Sequence, residues 1–403
     1  MREMKDSGVE WLGEVPAEWG FDRLGGFFSL RSEKVSDEDY TPLSVTKGGV
    51  VPQLSHVAKS DDHANRKLVC KGDFAINSRS DCRNSCGFAS QDGSVSLINT
   101  ICVPRGEIES RYFGYLFDSS QWSDEFYSWG HGIVADLWTT GWNDMKKILL
   151  PVPPLDEQRR IADFLDEKCT EIDRAVSAAE QSIEEYKAYR LSVISSKIPT
   201  GCTAVPIKYL CDLLPGYAFE SGKFVQGNGV RLLRGINVGV GKIQWVNTAN
   251  YLEEDLVGLE TYALEPGDLV IGLDRPWIKD GLRASFITES DLPCYLVQRV
   301  VRIRVSNNLE PRYLKYGLDS GILERYVASG TTGISVPHIS HLQIANCKVP
   351  LPSLGEQYCI ADYLDEKCTQ IDAAIAAKQA IIADLKAYKQ SLIYETVTGK
   401  REV

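Results

Sequence analysis

The sequence predicts an α+β protein in which two mixed α/β domains are separated by a long antiparallel two-helix coiled coil, with pseudo-two-fold symmetry. Three observations support this fold class. A helical segment occurs twice, each copy carries an apolar stripe with alternating spacings of three and four, and each copy follows a stretch of similar length rich in short β-like runs. The predicted boundaries are 1–149 and 202–349 for the globular domains, and 150–201 and 350–403 for the helical segments.

The repeat is the clearest feature of the chain. The first copy begins PVPPLDEQRRIADFLDEKCTEIDRAV at Pro151, and the second begins PLPSLGEQYCIADYLDEKCTQIDAAI at Pro350, 199 positions later. This period is far longer than the roughly 20–50 residues of solenoid repeats. It indicates duplication of a whole module, a globular domain followed by a helix, and predicts a protein that contacts two similar targets at a fixed separation.

The apolar stripe predicts that the two helical segments pack against each other. Prolines precede both segments, Ser353 and Glu356 have capping-box spacing, and Gly201 and Gly399 follow the two ends. About 40 residues at roughly 1.5 Å each give helices about 60 Å long. The alternative is two separate amphipathic helices, each lying on its own domain. The predicted seam consists of Ile161, Leu165, Ile172, Val176, Ile183, Ile360, Leu364, Ile371, Ile375 and Ile382.

The two globular stretches share short matches although most of their sequence differs. Gly72-Asp73 matches Gly267-Asp268, and Arg111-Tyr112 matches Arg312-Tyr313. A module whose helices stayed alike while its globular parts diverged is expected to serve one constant partner and two different targets.

Composition is that of a soluble globular protein, with 43% apolar and 25% charged residues. No apolar run approaches the roughly 18 residues of a membrane span, and the first twenty residues are too acidic for a signal peptide. Eleven cysteines without an export signal favour reduced thiols, and we expect a cytoplasmic protein with no membrane partner.

The formal net charge of −11 argues at first against a nucleic-acid partner. The charge is unevenly distributed, however, since residues 201–349 carry 15 basic and 15 acidic side chains. Global charge does not decide what a local surface binds. A DNA-binding role therefore requires local segregation of Arg and Lys.

Polar clusters follow the β-like runs 73–76 and 268–271 at equivalent places in the two domains. Arg pairs bidentately with guanine, and Asn or Gln with adenine, so these clusters are the candidate DNA contacts. A solvated or phosphate-contacting role is the alternative for each Arg, and a core role is the alternative for Trp277. The candidates are Asn77, Arg79, Ser80, Arg83 and Asn84 in the first domain and Arg275, Trp277, Lys279 and Arg283 in the second.

The glycine-rich turn that contains Thr331 and Thr332 could offer backbone N–H groups to phosphate, although an ordinary tight turn explains it as well. Cys82 and Cys86 with His63 or His131 are too loosely spaced to predict a metal site.

Sequence motifs of catalysis are missing. The chain contains no Gly-x-x-x-x-Gly-Lys-Ser/Thr loop and no Asn/Asp-Pro-Pro-Tyr/Phe methyltransferase motif, so we predict no catalytic residues. Glu185-x-Lys187 and Asp384-x-Lys386 have a nuclease-like spacing, but both lie within the predicted helices. A coiled-coil scaffold with protein-binding domains and no DNA role remains an alternative.

Four segments together resemble the specificity (S) subunits of type I restriction–modification systems, over the entire chain. They are residues 4–16 with Trp19, the two Pro-x-Pro-x-Leu-x-Glu-Gln helix motifs, and Thr398-Gly-Lys400. The second copy departs mildly from the first, with Gly355 in place of Asp156 and Tyr358-Cys359 in place of Arg159-Arg160.

The resemblance implies a non-catalytic, sequence-specific DNA-binding subunit. Each globular domain would be a target-recognition domain that reads one half of a bipartite site in double-stranded DNA. The coiled coil would set the gap and dock two methyltransferase (M) subunits, and restriction/motor (R) subunits would join through the complex. Adenine-N6 methylation and DNA cleavage would reside in these partners, which are expected to bind S-adenosylmethionine, ATP and Mg²⁺, while this chain binds none of them. The predicted docking residues are Glu157, Gln158, Asp163, Glu356, Gln357 and Asp362.

Overall fold

The computed structural model describes residues 2–53, 65–79, 83–132, 138–329 and 338–403. The chain divides into two compact units, Met1–Glu180 with Gln379–Val403 and Gln181–Lys378. We call them unit 1 and unit 2, and we call the globular part that precedes the first long helix head 1 and the part between the long helices head 2.

In its described residues, head 1 contains a central antiparallel sheet and four short helices. Its strands are β1 (Met4–Asp6), β2 (Glu14–Pro16), β3 (Gly20–Arg23), β4 (Phe28–Arg31), β5 (Lys34–Val35), β6 (Leu43–Thr46), β7 (Gly49–Pro52), β8 (Arg66–Val69), β9 (Phe74–Asn77), β10 (Cys86–Phe88), β11 (Gly93–Val95), β12 (Asn99–Pro104) and β13 (Leu149–Val152). Its helices are α1 (Leu24–Phe27), α2 (Ser110–Asp118), α3 (Ser120–Ser128) and α4 (Trp142–Met145). The first long helix, α5, follows as Leu155–Lys197.

Head 2 repeats this plan. Its strands are β14 (Ala204–Pro206), β15 (Cys211–Pro215), β16 (Val230–Leu233), β17 (Ala249–Tyr251), β18 (Leu269–Gly272), β19 (Trp277–Ile278), β20 (Gly281–Leu282), β21 (Ala284–Phe286), β22 (Cys294–Leu296), β23 (Val300–Val305) and β24 (Lys348–Pro350). Its helices are α6 (Pro311–Asp319), α7 (Ile322–Ala328) and α8 (His341–Asn346), and the second long helix, α9, is Leu354–Val397. Short 3-10 turns occupy Ile207–Tyr209, Ser221–Lys223, Gly235–Asn237, Glu253–Leu256, Glu260–Tyr262 and Glu289–Asp291.

The central sheets of the two heads have matching strand order, β10-β9-β12-β4 in head 1 and β21-β18-β23-β15 in head 2. A buried aspartate precedes the inner strand of each sheet. Asp73 binds Arg31 at 2.7 Å and Asp268 binds Arg304 at 2.5 Å, and each also accepts a backbone N–H from three residues upstream. The match between Gly72-Asp73 and Gly267-Asp268 in the sequence therefore marks one turn that occurs in both heads.

The long helices run antiparallel where they meet within each unit. In unit 1, Asp173 of α5 lies 2.7 Å from Lys389 of α9, and Glu180 lies 3.4 Å from Lys386. Residue numbers rise along α5 as they fall along α9, which defines the antiparallel direction. In unit 2 the pair between Asp372 and Arg190 (3.2 Å) occupies the duplicated positions of Asp173 and Lys389 with the helices exchanged.

The predicted seam residues lie on the more buried face of the two helices. Ile161, Leu165, Ile172, Val176, Ile183, Leu364 and Ile371 are buried, and Ile360, Ile375 and Ile382 are half-buried. In unit 1, Ile161, Leu165, Ile172 and Val176 join a core that includes the aromatic interior of head 1. In unit 2, Leu364 joins the core of head 2, and Ile360 packs against that core.

The helices are shorter than the predicted segments 150–201 and 350–403 and begin only after the prolines, at Leu155 and Leu354, because a residue that precedes proline is disfavoured in the helical conformation. β13 and β24 extend into the first residues of these segments and pair with β3 and β14. The capping box that precedes α9 is confirmed, since the Glu356 carboxylate accepts from the Ser353 N–H (2.9 Å) and hydroxyl (2.7 Å).

We expect Leu364→Ala to lower the free energy of unfolding by about 2–5 kcal/mol, because a fully buried leucine leaves a cavity when truncated. Leu191→Ala is the matched control, since Leu191 lies in unit 2 on a helix with its side chain half exposed. It should change stability by less than about 0.5 kcal/mol. Urea unfolding followed by circular dichroism measures both, and equal effects would contradict the assigned seam.

Candidate nucleic-acid interface

Arg111 connects head 1 to α5 through ion pairs. Arg111, at the start of α2, contacts Glu109 at 3.0 Å, Asp163 at 2.8 Å and Asp166 at 2.7 Å. Asp163 and Asp166 are three apart and therefore share one helix face. The Tyr115 hydroxyl donates to the second oxygen of Asp166 at 2.7 Å. The hydrogen bond to Glu109, followed by those to Asp163 and Asp166, raises the pKa of Arg111 above its usual range.

Head 2 is fastened to α9 by the same arrangement. Arg312 contacts Glu310 at 2.7 Å, Asp362 at 2.8 Å and Asp365 at 2.6 Å, and the Tyr316 hydroxyl donates to Asp365 at 2.7 Å. Burial, and secondarily the bond to Asp365, raises the pKa of Tyr316. We call each set, the arginine with its glutamate, two aspartates and tyrosine, the clamp of its head.

A glutamine completes each attachment. Gln158 accepts from the Glu109 N–H at 3.2 Å and donates to the Pro153 carbonyl at 3.0 Å. Gln357 accepts from the Glu310 N–H at 2.9 Å and donates to the Pro352 carbonyl at 3.0 Å. Both side chains are buried.

These contacts bear on the predicted docking residues. Gln158 and Gln357 do not offer a surface to another subunit, and neither does Glu157, which is buried beneath Arg2 (2.5 Å) and Trp19 (3.0 Å). Gln158 and Gln357 have the same partners in the two copies, whereas Glu157 and its counterpart Glu356 have different ones. Asp163 and Asp362 are mostly exposed beside their clamp arginines and Glu356 is exposed in its capping box, so docking through these three stays a prediction.

The loops predicted to contact DNA lie on one backbone frame that occurs in both heads. In head 1 the Ser78 N–H donates to the Ile98 carbonyl (3.4 Å), and the Thr140 N–H donates to the Ser78 carbonyl (3.0 Å). In head 2, Leu273 replaces Ser78. Its N–H donates to the Arg299 carbonyl (2.9 Å), and its carbonyl accepts from the Ile339 N–H (2.9 Å).

We call the three side-chain positions around this frame the junction. The first position directly follows Ser78 or Leu273 in the chain. The second is Ile98 or Arg299, whose backbone carbonyl accepts the hydrogen bond. The third directly precedes Thr140 or Ile339. The junction consists of Arg79, Ile98 and Thr139 in head 1 and of Asp274, Arg299 and His338 in head 2. The first and third positions form an antiparallel β-bridge in both heads. The backbone hydrogen bonds of the frame match, and all three residue types differ.

The head 1 candidates divide by exposure. Arg79 lies in the junction, half-buried, whereas Asn77 is buried on β9 and its side chain accepts from the Arg79 N–H at 3.1 Å. Arg83 is exposed, pairs with Asp124 at 2.8 Å and lies over the Tyr127 ring. Asn84 has a φ of 61° in the following turn. Ser80 lies outside the described residues.

The head 2 candidates divide further. Arg275 is exposed with a φ of 41°, and it directly follows Asp274 of the junction. Trp277 packs against the head 2 core. Lys279 is exposed beside Glu184 of α5, at 3.6 Å. Thr331 and Thr332 lie outside the described residues.

Arg283 was predicted to contact DNA, but its side chain binds the protein backbone instead. Its guanidinium donates to the carbonyls of Val238 (3.0 Å), Asp274 (2.9 Å) and Gly235, and burial lowers its pKa. An inward arginine in a loop looks the same in sequence as an exposed one. Sequence reasoning missed Arg299 and His338 instead, because neither belongs to a local polar cluster.

Arg299 and His338 share one carboxylate. Asp274 accepts from Arg299 Nη1 at 2.8 Å and lies 2.8 Å from His338 Nδ1. The bond from Arg299 holds the pKa of Asp274 below its usual range. The junction of head 2 is therefore an ordered, charged cluster at the surface.

The other predicted or rejected sites gain no support from the geometry. Across the described ranges, no group of three or more His, Cys, Asp or Glu could hold a metal ion. Cys86 lies on β10, where burial raises its thiol pKa to about 12, while Cys82 and His63 lie outside those ranges. Among the same residues, no helix is both long and apolar enough to cross a bilayer.

The nuclease-like spacings belong to helix surfaces. Lys187 pairs with Glu184 (3.3 Å) and Asp280 (3.0 Å), and Lys386 pairs with Glu180. These lysines are engaged in ion pairs away from Glu185 and Asp384.

Comparison with known proteins agrees with this geometry. Residues 228–387 match the family model of the type I restriction modification DNA specificity domain. The MjaVIII specificity subunit of Methanocaldococcus jannaschii is 30% identical over 279 residues, which is 64% of this chain and 63% of that protein. The EcoAI specificity subunit of Escherichia coli is 34% identical over 171 residues, 42% of this chain and 29% of that protein. The chain thus matches less than two thirds of the length of either relative.

Two solved structures share the fold. One comes from a study of complex assembly and conformational transition of the type I R-M system, with a TM-score of 0.73, 18% identity and coverage of 96% of this chain and 99% of that chain. The other is the HsdS subunit from Thermoanaerobacter tengcongensis, with a TM-score of 0.53, 18% identity and coverage of 98% and 100%.

The matched domain and the curated relatives are those of type I restriction–modification specificity subunits, and solved structures from such systems share the fold. This similarity agrees with the resemblance seen in the sequence.

Removing the head 2 clamp arginine by Arg312→Ala should lower the free energy of unfolding by about 1–3 kcal/mol, because the buried Glu310 loses its partner. Arg312→Lys should recover only part of this, since an ammonium cannot bridge three carboxylates as a planar fork does. Lys208→Ala, which removes an exposed contact to Asn346, serves as the control. A loss for Arg312→Ala no larger than for Lys208→Ala, in thermal and urea unfolding, would show that the clamp does not secure the head.

Proposed function

We propose that this chain is the sequence-specific DNA-binding subunit of a type I restriction–modification complex, and that each head reads one half of a bipartite site. One observation carries the proposal. The two heads share a backbone frame and a clamp, while all three side chains at the junction differ. A common frame with different polar groups is what two readers of different sequences need, because base identity is read by side chains at base edges.

The helices serve the complex in this proposal. They set the gap between half-sites and dock two methyltransferase subunits, and restriction/motor subunits join through the assembly. Equivalent exposed side chains on the two helices support two copies of one partner. Tyr189 and Tyr388, 199 positions apart, are 56% and 50% exposed. Exposed aromatic residues at matching positions present one surface twice.

Catalysis is assigned to the partners. We propose that S-adenosylmethionine, ATP and Mg²⁺ are bound by the M and R subunits and that this chain binds none of them. The purified chain should then show no metal-dependent cleavage of DNA. The scaffold alternative, without a DNA role, is separated by affinity for duplex DNA measured at several salt concentrations with the M subunit present, because phosphate contacts make binding strongly salt-dependent.

The direct test is to express the chain with a methyltransferase subunit from its own gene cluster and to map modified adenines across the host genome. We expect one split motif with two defined halves and a fixed unspecified gap. Methylation in a continuous motif, or at sites without sequence preference, would contradict the proposal. The methyltransferase alone provides the control for background modification.

The gap should depend on helix length. Inserting seven residues after Gln181 and seven after Ala380 preserves the apolar repeat and adds about 10 Å of helix. We expect the mapped gap to grow by about three base pairs at 3.4 Å each, with both half-sites unchanged. Seven residues inserted at the exposed turn of Gly258 in head 2 are the control and should leave the gap as it was. An unchanged gap after the helix insertions, with methylation retained, would contradict the spacer role.

A further inference from the structure

Arg299 is set apart from the other arginines of head 2 by what holds it. Among the described residues, Asp274 is the only hydrogen-bond partner of its side chain, which is 67% exposed. Nε and Nη2 of the same guanidinium have no hydrogen-bond partner in the part of the chain that the structure describes. Arg283, by contrast, uses all three of its nitrogens on backbone carbonyls.

The carboxylate beneath Arg299 is itself fixed. One oxygen of Asp274 accepts from Arg299, and the other lies 2.8 Å from His338 Nδ1. The Asp274 carbonyl additionally accepts from Arg283 at 2.9 Å. Because Asp274 is held by these three contacts, it limits the rotamers of Arg299. Less conformational entropy is therefore lost when Arg299 binds a ligand.

The backbone at this position is also specialised. Arg299 has a φ of 66°, in the left-handed region that residues other than glycine seldom adopt. Its carbonyl nevertheless accepts from Leu273, as the carbonyl of Ile98 accepts from Ser78 in head 1. The two heads thus use the carbonyl of this position in the same way, with an arginine in one head and an isoleucine in the other.

We propose that Arg299 is a specificity-determining residue of head 2 that reads a guanine in the major groove, with Asp274 as its positioning residue. This rests on the proposed function, since it names one contact within the half-site read by head 2. A planar guanidinium whose Nε and Nη2 have no partner among the described residues matches the O6 and N7 acceptors of guanine, and a pre-oriented fork favours this base over the others. Ile98 at the same position of head 1 has no donor, so head 1 reads its half-site differently there.

The test uses the complex with its methyltransferase and compares mapped motifs. Arg299→Ala should convert one guanine position in one half of the motif to a degenerate position, with discrimination there reduced roughly 10- to 100-fold. The other half should stay unchanged. Arg299→Lys should lose most of the same discrimination, because a single ammonium cannot donate bidentately in the same plane.

Two further variants locate the effect. Asp274→Ala should relax the same position, less strongly than Arg299→Ala and with no added effect in the double variant. Lys223→Ala, which removes the ion pair to Asp255 (2.9 Å) elsewhere in head 2, should leave the motif unchanged. Thermal unfolding of each purified complex tests whether the variant is folded. If Arg299→Ala does not fold, the motif of Arg299→Lys decides the question.

The outcomes are distinguishable. If the unaltered complex methylates a split motif and both Arg299 variants keep that motif, the inference is wrong while the proposed function stands. A uniform fall in methylation with the motif unchanged identifies a phosphate contact and also overturns the inference. If the unaltered complex has no split motif, the proposed function fails and the inference fails with it.

Discussion

Each unit depends on the contact between one arginine and a pair of aspartates three residues apart on a long helix. The arginine stands at the start of the first helix after the central sheet and is held locally by Glu109 or Glu310. Because a guanidinium has five donors in one plane, it can bridge the glutamate and both aspartates at once. The head is thereby fixed in rotation as well as in position on its helix. The same contact in both copies shows that attachment does not depend on what the head carries elsewhere.

The helix seam is not equally buried along its length. Leu165 and Leu364, each next to its head, are fully buried, whereas Ile375 and Ile382 nearer the helix middle are only half-buried. The heads therefore supply much of the apolar surface that covers the stripe. Between the helices, pairs such as Asp173 with Lys389 are exposed at least in part and contribute little to stability, although they favour the antiparallel register. On α9 the stripe is thus buried most deeply next to its head, whereas Val176 and Ile183 stay buried near the middle of α5.

Features that repeat at short range were predictable from the sequence. The 3/4 stripe and the capping residues gave the seam and the start of α9, since helix periodicity and caps depend on neighbours within about four residues. The clamp was within reach but was missed. Asp163 and Asp362 were assigned to docking, although Arg111 and Arg312 also match between otherwise different heads, and matching opposite charges in both copies indicate a contact.

The junction could not be predicted in this way. β19–β22 lie between Asp274 and Arg299 in the chain, and β23, α6 and α7 lie between Arg299 and His338, so only the folded head brings the three residues together. Asn77 was predicted to contact DNA, but it lies on a strand that is buried on both faces. The polar residues that follow the strand in the sequence made its last residue look like part of an exposed loop.

Arg283 shows how a loop of head 2 can be held in place while its exposed side chains vary. Arg283 ties the carbonyls of Gly235, Val238 and Asp274 together, and this fixes the loop from beneath without using any side chain of the junction. Backbone carbonyls are present whatever the residue, so the tie survives substitution of the side chains above it. Junction residues can then change without loss of the loop that presents them. A head built in this way keeps its fold while its surface chemistry varies, which is consistent with two heads that share a frame and differ at every junction position.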